Sequence, residues 1–470
     1  MSGSGTSHGR AQVIVELPNE PEMRQAFLDE NTDLIARRMN GMTSLVISKD
    51  QVVGLPAFRI GRVTLPSAAQ QPPEPGVERP SDAAIQAALA GLICVVEIPA
   101  ERTSGYMTSL RDAGLRVGAQ AAFEAFDHWV PNGDRPGTFH TRPAAEALIR
   151  ADATRSRNLL GQGVNLVVVD EGFSLAALRR RAAQVVNYID GWGTYPPNAA
   201  PNLPGQAAPD GHGTMVALNA ISLAPQARLW DAPVRPPRIN DVVPFADYAA
   251  AALIWIEAEI RLWLGFAFPG PWVFCHPWGI YDRRLEVPAD SYTGDPNHIL
   301  NLLFRVLDND RDQVFAAGNG GQFAPHPRCG PGDIGPGQSI LGGNSSPHIL
   351  TIGAARADGI WIGYSSQGPG QPGFATAPGS VVEKPDLCAP SHFCEPTDAA
   401  WISSGTSAAC GVAAGAVAAL RSQGSPLRSM PPHALRKRLR DRARQPPTMA
   451  QTPYDLRFGY GILDLDAALR

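Results

Sequence analysis

Four residues of this chain have the types and settings needed to attack a carbonyl carbon: Asp170, His212, Asn319 and Ser407. Ser407 lies in SSGTSAACGVAAG, residues 403–415, where nothing is larger than a valine. A serine hydroxyl is a poor nucleophile at neutral pH. It needs a base to take its proton, a third group to orient that base, and donors aimed at the oxyanion that forms. His212, in DGHGTMVA between two glycines, suits the base. Asp170 closes VNLVVVD and suits the orienting carboxylate. Asn319, in FAAGNGG, offers an amide to the oxyanion, with Gly318 beside it. Each also has a plainer reading. Asp170 and Asn319 suit turns, and His212 suits a loop before a helix capped by Thr214. Ser407 suits the cap of a small-residue helix, where its own N–H would still be free to join an oxyanion site.

The elements that must position these residues are readable as patterns. VNLVVVD is a run of β-branched residues without alternation, as expected of a strand buried on both faces. The same type recurs in WVFCH (272–276), DQVFAAG (312–318) and HILTIGA (348–354). Helical patterns at 248–263 and 298–307 lie between them. Strands alternating with helices predict an α/β fold with a doubly wound, mostly parallel sheet. Sites in such sheets lie beyond the carboxyl ends of the strands, where Asp170 and Asn319 fall.

Residues 1–140 read differently, as a smaller α+β region. Strands are expected at 12–17, near 44–48 and at ICVVEIPA (93–100), with helices at about 20–38 and in SGYMTSLRDAGLRV (104–117). The Pro-rich stretch 66–82 reads as a linker or long loop. The larger domain then runs from about 145 to 470.

A net charge of −4 argues against a surface for polyanions, so no nucleic-acid partner is expected. The most apolar later stretch, 252–268, is broken by Glu257, Glu259 and Arg261 and reads as a buried helix, not a membrane span. The N-terminus has no apolar run behind a basic start, which points to a cytoplasmic location unless export is unconventional. Six scattered cysteines fit a reducing compartment. Cys388, His392 and Cys394 make a weak metal pattern without a second cluster, so no metal ligands are assigned. The basic run LRKRLRDRAR, 435–444, reads as a solvated helix face.

At this point the motifs resemble those of the subtilisin-like serine proteases, the subtilases. VVVDEG resembles the family's Asp motif, HGTMVA its His motif, AAGN its oxyanion Asn motif and GTSAA its Ser motif. The order Asp, His, Ser is the one known for subtilisin. LAPQARLWDAPV, WIGYSSQGP, KPDLCAPS and FGYGILDLDAAL resemble supporting segments, so the likeness spans about 145–470. It implies a serine endopeptidase acting on protein or peptide through an acyl-enzyme. Ser407 would be nucleophile, His212 base and then acid, Asp170 the orienting carboxylate and Asn319 the oxyanion donor. His276, Trp278, Gly279 and Gly318 would line the substrate cleft. No cofactor is required for the chemistry; calcium is common in the family, but no acidic loop here names ligands. Four positions depart from the family pattern: Glu171 for Thr or Ser, Leu218 for Gly, Pro277 for Ser and Gly411 for Pro.

The resemblance also implies roles for the N-terminal region: a removable prosegment, or a retained accessory domain that docks a partner or the chain's own cleft. Two rival readings stand beside the endopeptidase. One is a peptide-tailoring enzyme that passes the acyl group to an amine. The other is a catalytically silent fold used for binding.

Overall fold

A computed structural model describes residues 9–56, 58–60, 74–125, 140–182, 186–194, 201–234, 243–244, 246–280, 283–321, 333–449 and 452–470. Much of the Pro-rich stretch 66–82 therefore lies outside the described residues.

The N-terminal region supplies β1 (Arg10–Leu17), β2 (Val52–Gly54), β3 (Phe58–Ile60), β4 (Leu92–Pro99) and β5 (Arg116–Ala119). Four of them form an antiparallel sheet in the order β2-β4-β1-β5. Val13, Val15, Cys94, Val96 and Val117 pack there against Met23, Ile35, Met39, Met107 and Leu110. The helical stretch at 20–38 is two helices, Pro21–Leu28 and Thr32–Met42. Asn31 restarts the second one, its side chain accepting from the Leu34 N–H. The strand expected near 44–48 is not there. The Asn40 side chain bonds both backbone groups of Ile47, at 2.8 and 2.7 Å, which withdraws them from any sheet ladder. Pairing resumes only at β2.

A short strand, β6 (Ala122–Ala125), follows. The larger domain then contributes β7 (Asn165–Asp170), β8 (Tyr188–Thr194), β9 (Arg228–Pro233), β10 (Val243–Pro244), β11 (Trp272–His276), β12 (Trp278–Ile280), β13 (Arg311–Ala316), β14 (Leu350–Ala355) and β15 (Leu387–Pro390). Its main sheet has the order β15-β14-β13-β11-β7-β9-β8-β3. Seven of these strands run parallel, and β3 closes the β8 edge in antiparallel pairing. Every residue of β7, β11, β13 and β14 is buried. Both sheet faces are thus covered, which is why these segments carry no alternation. This is the doubly wound α/β fold expected.

Two helices on one face decide the centre of the molecule, His212–Leu223 and Gly405–Leu420. All sixteen residues of the second are buried. A Cβ added at Gly415 would meet the Ala220 carbonyl oxygen at 2.2 Å, and one at Gly411 the Val216 carbonyl oxygen at 2.7 Å. The two backbones touch, so the run of small residues is a packing requirement. It also accounts for Gly411, where the family pattern has proline.

The apolar stretch 252–268 is a largely buried helix, Ala246–Glu259, continued by a π turn, Ile260–Leu264. No helix among the described residues is long and apolar enough to cross a membrane. The basic run forms helix Pro432–Asp441, but its solvated reading needs correction. Arg436 pairs with Asp308 and Arg440 with Asp386, and their side chains are only 11% and 24% exposed. The arginines fasten this helix to the end of helix Ile299–Leu307 and to the start of β15, while Lys437 alone is well exposed among these three.

Candidate active site

Asp170 is the last residue of β7, and the central position of that strand fixes it. Its Oδ1 accepts the Glu171 N–H at 2.7 Å. Its Oδ2 lies 2.7 Å from His212 Nδ1, with both side chains 1% exposed. A carboxylate at Nδ1 fixes the tautomer with the proton on that nitrogen and the lone pair on Nε2. His212 is the first residue of its helix, and Gly211 precedes it as N-cap.

Glu171 has a task here that the sequence did not disclose. Its carboxylate accepts the His212 backbone N–H at 2.8 Å, although it is 2% exposed. A carboxylate at a helix N-terminus satisfies an orphan donor and complements the helix dipole. Glu171→Ala should cost about 1 kcal/mol and lower Tm by roughly 1–2 °C. Glu171→Gln keeps an acceptor and should lie nearer the parent in a thermal melt.

Ser407 is the third residue of its helix, in the first turn. Gly405 opens that helix at φ +74°, a conformation that side chains resist. Its N–H donates to the Tyr364 hydroxyl at 3.0 Å, and its carbonyl accepts from Ser391 at 2.7 Å. The turn before Ser407 is therefore held from two sides. The Ser407 hydroxyl donates to the Pro277 carbonyl at 3.0 Å.

Asn319 follows β13, beside the same helix start. Its side-chain oxygen accepts from both the backbone N–H and the hydroxyl of Thr406, each at 3.0 Å. Thr406 in turn accepts the Gly318 N–H at 3.1 Å. Two donors on one oxygen settle which end of the amide is which, and turn the NH₂ away from Thr406. Thr406 was missed in the sequence; its only signal was a second hydroxyl next to Ser407.

Asp170, His212, Asn319 and Ser407 are thus brought to one end of the sheet. His276 and Trp278 are not cleft-lining side chains, which corrects the expectation for them. His276 is wholly buried, stacked on Phe315 at 4.2 Å, with Nε2 2.8 Å from Gln313 Oε1. Burial pushes its pKa down to about 3, so it stays neutral. Trp278 packs on the same aromatic cluster and donates its indole N–H to the Val169 carbonyl at 3.0 Å. What this segment offers outward is backbone. β12 pairs with β6, Gly279 opposite Glu124, and β6 pairs on its other side with β10. Both pairings are antiparallel.

Among the described residues no three His, Cys, Asp or Glu side chains gather so as to hold a metal ion. The acidic residues that do cluster at the site, Asp170 and Glu171, are engaged by His212.

The fold is doubly wound α/β, and a serine, a histidine and an aspartate lie at the carboxyl end of its parallel strands. The profile of the subtilase family, peptidase family S8, matches residues 161–461. That is well over half of the chain, which therefore belongs to the subtilases, a family of serine proteases. No curated protein sequence matches the chain. Among solved structures it is similar to MycP1 from the ESX-1 type VII secretion system, with 18% identity and a TM-score of 0.47 over 75% of this chain and 90% of that one. MycP1 from Mycobacterium smegmatis gives 18% identity and a TM-score of 0.45, over 75% of this chain and 88% of that one. A third MycP1 structure, described as an essential component of that secretion system, gives 20% identity and 0.44, over 74% and 92%.

Proposed function

We propose that the chain is a serine endopeptidase that works through an acyl-enzyme on Ser407. His212 Nε2 takes the Ser407 proton as Oγ bonds to the scissile carbonyl carbon, and later gives that proton to the leaving amine. Asp170 holds the imidazole in the required tautomer and stabilises the imidazolium. The Asn319 NH₂ and the Ser407 backbone N–H donate to the oxyanion. Water then repeats the sequence on the acyl-enzyme. The observation that carries this reading is the 2.7 Å contact between buried His212 and buried Asp170. Support comes from a serine on the helix packed directly against the one that begins at His212. The test is labelling of the full-length chain by a fluorophosphonate, beside His212→Ala. Labelling of the parent alone supports the reading. Equal labelling of both, or of neither under any condition that opens the cleft, favours a silent fold used for binding.

The N-terminal region is read with it as a domain that blocks its own cleft. The support is β6, threaded antiparallel between β12 and β10 as an extended peptide would be. An active chain should cut itself after Ala125, in the segment leading to Thr141, and the loss of mass should be absent from a Ser407 variant.

The docking of this domain should weaken in acid. Gly118 and Ala119 lie on His298, whose Nε2 donates to the Ala119 carbonyl at 2.8 Å while Nδ1 accepts the Leu300 N–H. Arg111, Asp295 and Tyr292 surround the contact. Burial is the main cause that pushes the His298 pKa down to about 4. Release of the domain would return it toward about 6.5. The docked state therefore holds its full advantage above pH 6.5 and loses it as pH falls toward 4. One proton changes the equilibrium up to tenfold per pH unit, or roughly twentyfold between pH 7 and pH 5. The protection factors of the amides of Ala122–Ala125, taken relative to the intrinsic exchange rate at each pH, should fall over that range, and His298→Gln should flatten the response.

A further inference from the structure

Beside the candidate triad lies a second buried carboxyl group that the mechanism above does not use. Asp231 is on β9, paired with Val168 of β7 on one side and Gly191 of β8 on the other. Paired positions of parallel strands share a face, as do positions two apart. Asp231 therefore lies on the same face as Asp170, one strand over. That face carries the His212 helix, since Val168, Met215 and Val216 share one core. Asp231 is wholly buried.

Its Oδ2 gathers donors from two different segments. The Gly205 N–H lies at 2.7 Å and the Phe173 N–H at 3.2 Å. Phe173 belongs to the segment that leaves Asp170, and Gly205 to the one that leads into His212. Further bonds zip these segments together. Ala207 donates to the Phe173 carbonyl at 3.2 Å and Leu175 to the Gly205 carbonyl at 2.9 Å. The Thr214 hydroxyl accepts from Ser174 and donates to the Ala208 carbonyl, both at 2.9 Å. Asp231 alone among these acceptors sits on a strand of the central sheet, so it anchors the zipped pair to the rigid part of the fold.

We propose that Asp231 is a positioning residue that holds Asp170 and His212 in register by tying both their segments to β9. The inference rests on the triad reading above. An apolar residue at this place would leave two buried N–H groups without an acceptor, and the segments would shift to find one. A charged carboxylate would place a second negative charge beside Asp170. Burial, with the Asp170 charge adding to it, pushes the Asp231 pKa up to about 8, so at neutral pH the group accepts both bonds without that repulsion. A neutral amide should then replace it.

The experiment compares four full-length proteins: the parent, Asp231→Ala, Asp231→Asn and Asp312→Ala. Asp312 is another buried carboxylate, paired with Arg421 at the opposite end of the sheet, and controls for destabilisation alone. Each is labelled with a fluorophosphonate below its Tm, and the rate is followed against probe concentration. A cleft that opens slowly slows all four alike. Asp231→Ala should lower the maximal labelling rate about 30- to 100-fold, the scale of a misplacement near 1 Å. The probe concentration at half-saturation should move less than about threefold, because the substrate strand is elsewhere. Asp231→Asn should recover to within about fivefold of the parent, since one acceptor oxygen suffices for both donors. Asp312→Ala should label like the parent. If Asp231→Ala does not fold, Asp231→Ser takes its place with the same expectation, its hydroxyl being too short to serve both donors. Parent-like labelling of the truncated variant overturns the inference alone, as does an Asn variant as slow as the Ala one. A parent that never labels overturns the triad reading and this inference with it.

Discussion

Ser407→Ala should abolish fluorophosphonate labelling and lower kcat on a peptide substrate by roughly 10⁴- to 10⁶-fold, the scale known for subtilisin itself. The hydroxyl it removes is the only part of residue 407 that can bond to a carbonyl carbon. The rest of the site should survive. Ser407 is wholly buried in a helix of small residues, where alanine fits without strain and favours the helix. The His212–Asp170 contact and the Thr406–Asn319 bonds do not pass through the Ser407 side chain. The melting temperature should therefore stay within a few degrees, and the loss should read as chemistry. A sharper form of the test uses His212→Ala and the double variant. Nucleophile and base act as one unit, so the double variant should be no worse than the worse single one. Losses that multiply would mean that the two side chains act independently, against the proposed proton transfer.

Asn319→Ala should lower kcat by about 10²- to 10³-fold with little change in KM, as removal of the corresponding amide does in subtilisin. The oxyanion exists only after the carbonyl has been attacked, so a donor aimed at it favours the transition state over bound substrate. On the proposed reading that aim is set by Thr406, which engages the amide oxygen twice at 3.0 Å. Thr406→Val removes one of those bonds and the one that Gly318 donates. It should fall between the parent and Asn319→Ala in kcat. A rise in KM as large as the fall in kcat would instead mean that Asn319 binds ground-state substrate.

Much of this protein was legible before folding was considered. VNLVVVD, WVFCH, DQVFAAG and HILTIGA each became a parallel strand, because burial on both faces erases alternation and leaves an apolar run. Asp170, His212, Asn319 and Ser407 stood out because strand ends and helix starts have their own turn chemistry, which is local in sequence. Membership of the subtilase family followed from the same short motifs.

Other features depended on partners far away in the chain. WVFCH announced a buried strand, but not that His276 and Trp278 would face the aromatic core while backbone faced β6. Strand pairing assigns those faces, and the partner of β12 comes from more than 150 residues earlier. Glu171 read only as a departure from a pattern, since its acceptor role exists only when His212 lies next to it. Asp231 passed unnoticed within LAPQARLWDAPV, since the donors that converge on it come from two other segments. The arginines after Leu435 read as a wet face until Asp308 and Asp386 met them. Sequence by itself determined the elements and the chemical groups, because burial and turn preferences act over a few residues. Tertiary structure decided which groups face one another, because a hydrogen bond or ion pair depends on where its partner is carried by the rest of the chain.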